Sequence, residues 1–229
     1  MAIKQGRHTL PEKPALTVRA LCDEARSFAA VESLHPEPKL YGVTDGKAVG
    51  TYFAHKFKAY LADRYTYTPG SSASGIDFPE LSVDMKVTSA TQPQSSCPFK
   101  SARQKIFGLG YCLLVFVYTK TDDPEARTGT LRIDHTIFIE KHRTADFQMT
   151  KSLRQILENG GNEDDLVAYM NDRLLPIDDL EAHTVAQELL AGSALEQGYL
   201  TISNGLQWRL QYGRVISNAG NVDGVVRIR

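Results

Sequence analysis

The sequence predicts an α/β fold, with a mixed core of helices and strands followed by a mostly helical C-terminal portion. Three observations carry this expectation. Leu16–Ser33 alternates apolar and polar residues at helical spacing. Cys112-Leu113-Leu114-Val115-Phe116-Val117-Tyr118 is a continuous apolar run, as in a strand buried on both faces. Beyond about Phe147 the pattern is mainly helical, interrupted at Asn159-Gly160-Gly161-Asn162 and at Leu175-Pro176.

Taken in order, the first helix ends before His35-Pro36-Glu37-Pro38. A second helix is expected from about Ala48 to Tyr65, with Val49, Tyr52, Phe53, Phe57, Tyr60 and Leu61 as its apolar face. Pro69 to Gly75 reads as a loop. Leu81–Thr88 has the period of a strand, with Val83, Met85 and Val87 on one face and Asp84 and Lys86 on the other. A helix over Lys100–Gly108 precedes the buried strand, and Leu131–Ile139 supplies a third. Gly224 to Arg229 is read as a return to strand. No repeat interrupts this order, so one domain is expected over residues 1–229. Its catalytic core would span about 45–145 and its helical portion about 146–229.

Composition excludes several classes. Hydrophobic residues make up 42% and charged residues 23% of the 229 residues, ordinary values for a chain with a sizeable core. The formal net charge of −1 announces no nucleic-acid partner, although phosphate affinity depends on where Lys and Arg cluster. Cys22, Cys97 and Cys112 are odd in number and lack metal-ligand spacing, which suggests a reducing compartment. The apolar stretch Leu113–Val117 is too short to span a bilayer, and Met1–Pro14 lacks the apolar core of a signal peptide. A soluble cytoplasmic protein is expected.

The chemistry is concentrated in Gly75-Ile76-Asp77-Phe78-Pro79-Glu80-Leu81-Ser82-Val83-Asp84-Met85-Lys86. Residues two apart on a strand share a face, so Asp84 and Lys86 project together. Asp77 lies beyond a turn at Phe78-Pro79-Glu80 and can fold back beside Asp84. Two carboxylates suit a hard divalent cation such as Mg²⁺, which prefers oxygen ligands and retains several waters. A lysine beside them can orient a nucleophilic water or stabilise charge developing on a phosphate. Alone, Asp-x-Lys on a strand is more often an exposed ion pair; here the preceding Asp77 and the helix and strand that follow give it context.

That order of elements resembles the PD-(D/E)xK nuclease superfamily. The spacing of Asp77-Phe78-Pro79-Glu80-Leu81-Ser82-Val83-Asp84-Met85-Lys86 is similar to that of the methyl-directed mismatch-repair nicking endonuclease and its restriction-enzyme relatives. Ser82 stands where their pattern has Gly, and Asp84 where it has Glu. The resemblance covers about residues 45–120. It implies a restriction-endonuclease-like mixed central sheet flanked by helices, and Mg²⁺-dependent cleavage leaving a 5′-phosphate without a covalent intermediate. Asp77, Asp84 and Lys86 would be catalytic, with Asp77 and Asp84 on the metal. The family also places a Glu four residues after a helix Gly. Here Gly50 is followed by Ala54, which cannot bind metal. Three readings stand: the role is lost, His55 substitutes, or Ala54 is an introduced change that disables the enzyme.

Candidate DNA contacts fall in three places. Ser89, Gln92, Gln94, Ser95 and Ser96 leave the catalytic strand as a dense set of hydrogen-bonding groups. Lys100, Arg103 and Lys105 follow on the expected helix, where Lys100 and Arg103 would share a face toward phosphate. A short helix at the C-terminal end would carry Gln207, Gln211 and Arg214 along one side, with Arg209 nearby, as the base-reading element. Ordinary solvated loops and helix faces compete with each of these readings.

The leading expectation is a type II restriction endonuclease acting on double-stranded DNA at a short sequence with Mg²⁺. A short palindrome read by one small subunit favours a two-fold homodimer. The alternatives are a structure- or strand-specific repair nuclease, a catalytically disabled DNA-binding protein, or an unrelated α/β protein with surface charges at these positions.

Overall fold

In a computed structural model, residues 13–70, 75–97, 100–203 and 208–229 are described. Helix α1 (Val18–Glu32) is capped by the Thr17 hydroxyl, which accepts from the Ala20 amide, and it buries Leu21, Ala25, Phe28 and Ala29. After the two-residue strand β1 (Pro36–Glu37), helix α2 (Gly46–Ala62) begins two residues earlier than its apolar period suggests. Asp45 is the reason, since its carboxylate accepts from the Lys47 and Ala48 amides. The α2 stripe Val49, Phe53, Phe57 and Leu61 is buried at four-residue spacing. Tyr52 and Tyr60 flank it and reach Glu32, Glu37 and Glu24 through their hydroxyls, tying α2 to α1 and β1.

Strand β2 (Val83–Ser89) is followed by β3 (Gln94–Cys97), the short helix α3 (Gln104–Phe107), and the long strands β4 (Cys112–Asp123) and β5 (Thr128–Ile139). Helices α4 (Phe147–Glu158), α5 (Glu163–Asp172) and α6 (Asp179–Leu190) come next. The chain closes with β6 (Thr201–Ile202), β7 (Trp208–Gln211), α7 (Gly213–Asn218) and β8 (Val225–Arg227). The fold is α/β with a mixed central sheet flanked by helices, as the sequence suggests.

The central sheet runs β1-β5-β4-β2, with β8 sharing the β5 edge. Strands β2 and β4 are parallel, and the other pairs are antiparallel. β2 is therefore the last strand on its side. Leu114, Phe116 and Tyr118 of β4 face a core shared with α1 and α2, while Leu113, Val115 and Val117 face a second core. That second core holds a separate antiparallel sheet of order β3-β7-β6 against the opposite face. A third cluster, centred on Leu153, Leu166, Met170 and Val185, joins α3 to α4–α6.

The C-terminal helix expected over Gln207–Arg214 is corrected by this second sheet. Trp208–Gln211 is a strand, and Gln207 lies outside the described residues. Trp208, Leu210 and Tyr212 are buried while Arg209 and Gln211 are exposed, a period of two that β3 completes by pairing. Arg214 belongs to α7, so it shares no helix with Gln211. The helix expected over Lys100–Gly108 is also shorter, beginning only at Gln104.

Candidate active site

The turn before β2 makes the site. Ser82 adopts a left-handed conformation, φ 52° and ψ 45°, at the end of a 3₁₀ turn over Pro79–Leu81. Its position is the one where the resembling nucleases have Gly, the residue that tolerates positive φ without steric cost. The reversal lets Phe78 and Val83 exchange backbone hydrogen bonds of 2.9 and 3.2 Å. Asp77 is thereby swung over the strand, where its Oδ2 accepts from the Met85 amide at 3.0 Å.

Asp84 and Lys86 pair with Leu113 and Val115 of β4, so they lie on the face covered by the second sheet. Lys86 Nζ stands 2.7 Å from Asp84 Oδ2. The carboxyl groups of Asp77 and Asp84 lie within hydrogen-bonding reach of each other. The structure thus brings Asp77, Asp84 and Lys86 together at the sheet edge. Lys58 of α2 joins them, its Nζ 2.5 Å from Asp77 Oδ1. This lysine has no place in the sequence expectations above. Its signal was present in the spacing, since Lys58 lies one helical turn beyond Ala54 on the face that begins at Gly50.

The electrostatics separate the two carboxyls. Burial pushes Asp84 up to about 6 against the pull of Lys86, and the neighbouring Asp77 pushes the same way. Burial also pushes Asp77 upward, but Lys58, the Asp84 carboxyl and the Met85 amide outweigh it and hold Asp77 below the usual carboxylate range. Asp84 Oδ2 is buried with no aligned hydrogen-bond donor among the described residues, and the Lys86 charge stands beside it. A buried oxygen balanced by charge, beside a second carboxylate, is a donor set that suits a hard cation. Among the described residues no third His, Cys, Asp or Glu completes a cluster. Ala54 supplies only a methyl group packed on the core, and His55 is exposed on the adjacent helix face.

Beyond the cluster, β2 runs into a wide groove bordered by the first turn of α2, the end of β2, β3 and Arg209 of β7. The Thr88 hydroxyl, two residues from Lys86 on the same face, bonds the backbone of Gln92 and Gln94 and folds β3 back over β2. Ser89, Gln92, Gln94, Ser95 and Ser96 all line this groove. The Ser95 hydroxyl, however, turns inward to Tyr212 at 2.6 Å. On the outer face of the second sheet, Gln94 stands opposite Gln211, and Ser96 opposite Arg209.

Lys100 is exposed just before α3. Arg103 is engaged elsewhere: it meets Glu181 at 3.0 Å, pairs with Glu188, and lies over the Phe107 ring. Lys105 is buried 5.8 Å from the Trp208 ring centre, and burial lowers its pKa against the opposing charge of Asp146. Arg214, although exposed, stacks 3.7 Å over the Phe147 ring. Arg103 thus ties α3 to α6, Lys105 lies against the second sheet, and Arg214 packs α7 on α4, so each side chain is engaged within the protein.

No helix among the described residues is long and apolar enough to cross a membrane. No solved structure is found to match the chain. A type II restriction enzyme, NspV, from Nostoc sp. (strain ATCC 29411 / PCC 7524), is 63% identical over 213 residues, spanning 93% of this chain and 96% of the relative. The model of the type II restriction enzyme NspV family matches residues 15–227, so nearly every element described above falls inside it, and the chain belongs to that family of restriction enzymes.

Proposed function

We propose that this protein is a site-specific endonuclease of the PD-(D/E)xK type, cutting double-stranded DNA with Mg²⁺ held between Asp77 and Asp84. The observation that carries this reading is the convergence of two carboxyls and the Lys86 ammonium at one sheet edge, beside a groove rich in hydrogen-bonding groups. Kinship to a type II restriction enzyme supports the same reaction. The bound cation supplies Lewis acidity toward a phosphate oxygen. Lys86 keeps its proton at Nζ, orients the attacking water, and stabilises negative charge that grows on the phosphate. Asp77, fixed by the Met85 amide, holds its carboxylate in place through the turnover.

Base reading is assigned to the outer face of β3 and β7. Gln suits adenine and Arg suits guanine in the major groove, which admits a two-stranded ribbon. Residues two apart on a strand are about 6.6–6.8 Å apart, close to two base-pair steps of about 3.4 Å. The cross-strand pairs Gln94–Gln211 and Ser96–Arg209 are separated by one such spacing. Lys100 adds phosphate affinity without sequence preference. Two copies act as a two-fold dimer on a palindromic site.

Digesting a plasmid library with Mg²⁺ tests the reading. Discrete fragments ending at one short sequence are expected. Cuts that follow DNA structure, or binding without cleavage, would replace it.

A further inference from the structure

We propose that Lys58 is a positioning residue that sets the metal affinity of the site by occupying the Asp77 oxygen a cation must reach. The proposal rests on the reading of Asp77 and Asp84 as the metal-holding pair. Both Asp77 oxygens are already partnered: Oδ2 by the Met85 amide and Oδ1 by Lys58 Nζ at 2.5 Å. The Met85 amide is part of β2 and cannot leave without breaking the turn that places Asp77. Lys58 can leave, because its side chain is partly exposed and carries four rotatable bonds.

The Lys58 backbone is held where it is. The Tyr67 hydroxyl donates to the Lys58 carbonyl at 3.0 Å, and the Tyr67 ring packs on Phe78, the residue next to Asp77. The ammonium is therefore delivered to the carboxylate by the same contacts that build the turn. With Lys58 and Lys86 charged against Asp77 and Asp84, the cluster is formally balanced, so it offers little net attraction to a divalent ion. A glutamate at position 54, one turn before Lys58, would add negative charge to the helix face that carries Lys58.

Mn²⁺ titration of the full chain without DNA, by calorimetry or electron spin resonance, tests this. Lys58→Met keeps the aliphatic stem and removes the charge. It should bind Mn²⁺ at least about tenfold more tightly than the wild type, while Lys58→Arg stays close to it. Circular dichroism and melting profiles confirm that the variants are folded. If Lys58→Met binds no more tightly, or if neither chain binds measurably, the proposal is overturned. Asp84→Ala separates the two layers of the reading. Should it abolish Mn²⁺ binding while Lys58→Met changes nothing, only the role of Lys58 fails. Should it leave Mn²⁺ binding intact, the carboxylate pair itself is misassigned.

Discussion

Two polar surfaces, the carboxylate–lysine cluster and the outer face of the second sheet, are built in opposite ways. The catalytic cluster draws Asp77, Asp84 and Lys86 from one short segment, closed by a single turn at Ser82 and backed by one helix. The outer face of the second sheet draws Gln94 and Ser96 from the middle of the chain and Arg209 and Gln211 from its C-terminal part. Ser95 and Tyr212, which bond beneath it, are 117 residues apart. The first surface keeps its geometry as long as the edge strand and turn hold. The second depends on a shared core beneath it, where Trp208, Leu210 and Tyr212 are buried. On the proposed reading, chemistry would be local and rigid, whereas recognition would hang on long-range pairing.

The contrast can be broken at either surface. The largest effect is expected at the local one. Asp84→Ala and Lys86→Ala should each lower the cleavage rate by at least about 10²-fold, the scale of losing one transition-state stabilising group. Far-ultraviolet circular dichroism should show both variants folded. At the other surface, Trp208→Ala should cost about 3–5 kcal/mol of stability, because it removes a large side chain from a closed core. Urea unfolding measures that loss, and a cost below about 1 kcal/mol would mean the second sheet does not rest on Trp208.

Smaller effects sharpen the comparison. Arg103→Ala should cost roughly 0.2–1 kcal/mol for each partly exposed ion pair it removes. DNA affinity and its salt dependence should not change, since this guanidinium serves α6. Lys100→Ala should do the reverse, leaving stability alone and lowering the salt slope by about one. Ser82→Gly should raise stability by up to about 1 kcal/mol by relieving the left-handed strain. A loss of stability in that variant would mean the Ser82 side chain has a role beyond its backbone.

The sequence made the local surface legible because each step there is short-ranged. Period two put Asp84 and Lys86 on one face, and Phe78-Pro79-Glu80 marked the turn that returns Asp77. The apolar run at Cys112 announced the buried neighbour strand. Lys58, one turn beyond Ala54, bears no local mark of its role, because its partner Asp77 lies 19 residues further along the chain. The second sheet was hidden for a different reason. Gln207, Gln211 and Arg214 fit helical spacing, while Trp208, Leu210 and Tyr212 fit a strand equally well. The deciding factor was β3, whose pairing no local pattern around residue 208 contains. Arg103 and Lys105 looked like phosphate ligands for the same reason, as Glu181, Glu188 and Trp208 are far away in sequence.

The division of labour between the two surfaces is tested most directly by the sequence preference of Arg209→Ala on a randomised duplex library. Binding and cleavage would be profiled beside Asp84→Ala. The account predicts that Arg209→Ala still cuts but relaxes by about 1–3 kcal/mol at one position in each half-site. Asp84→Ala should bind with the wild-type preference and not cut. An unchanged profile in Arg209→Ala, or an altered one in Asp84→Ala, would contradict the assignment of reading to the second sheet and chemistry to the edge strand.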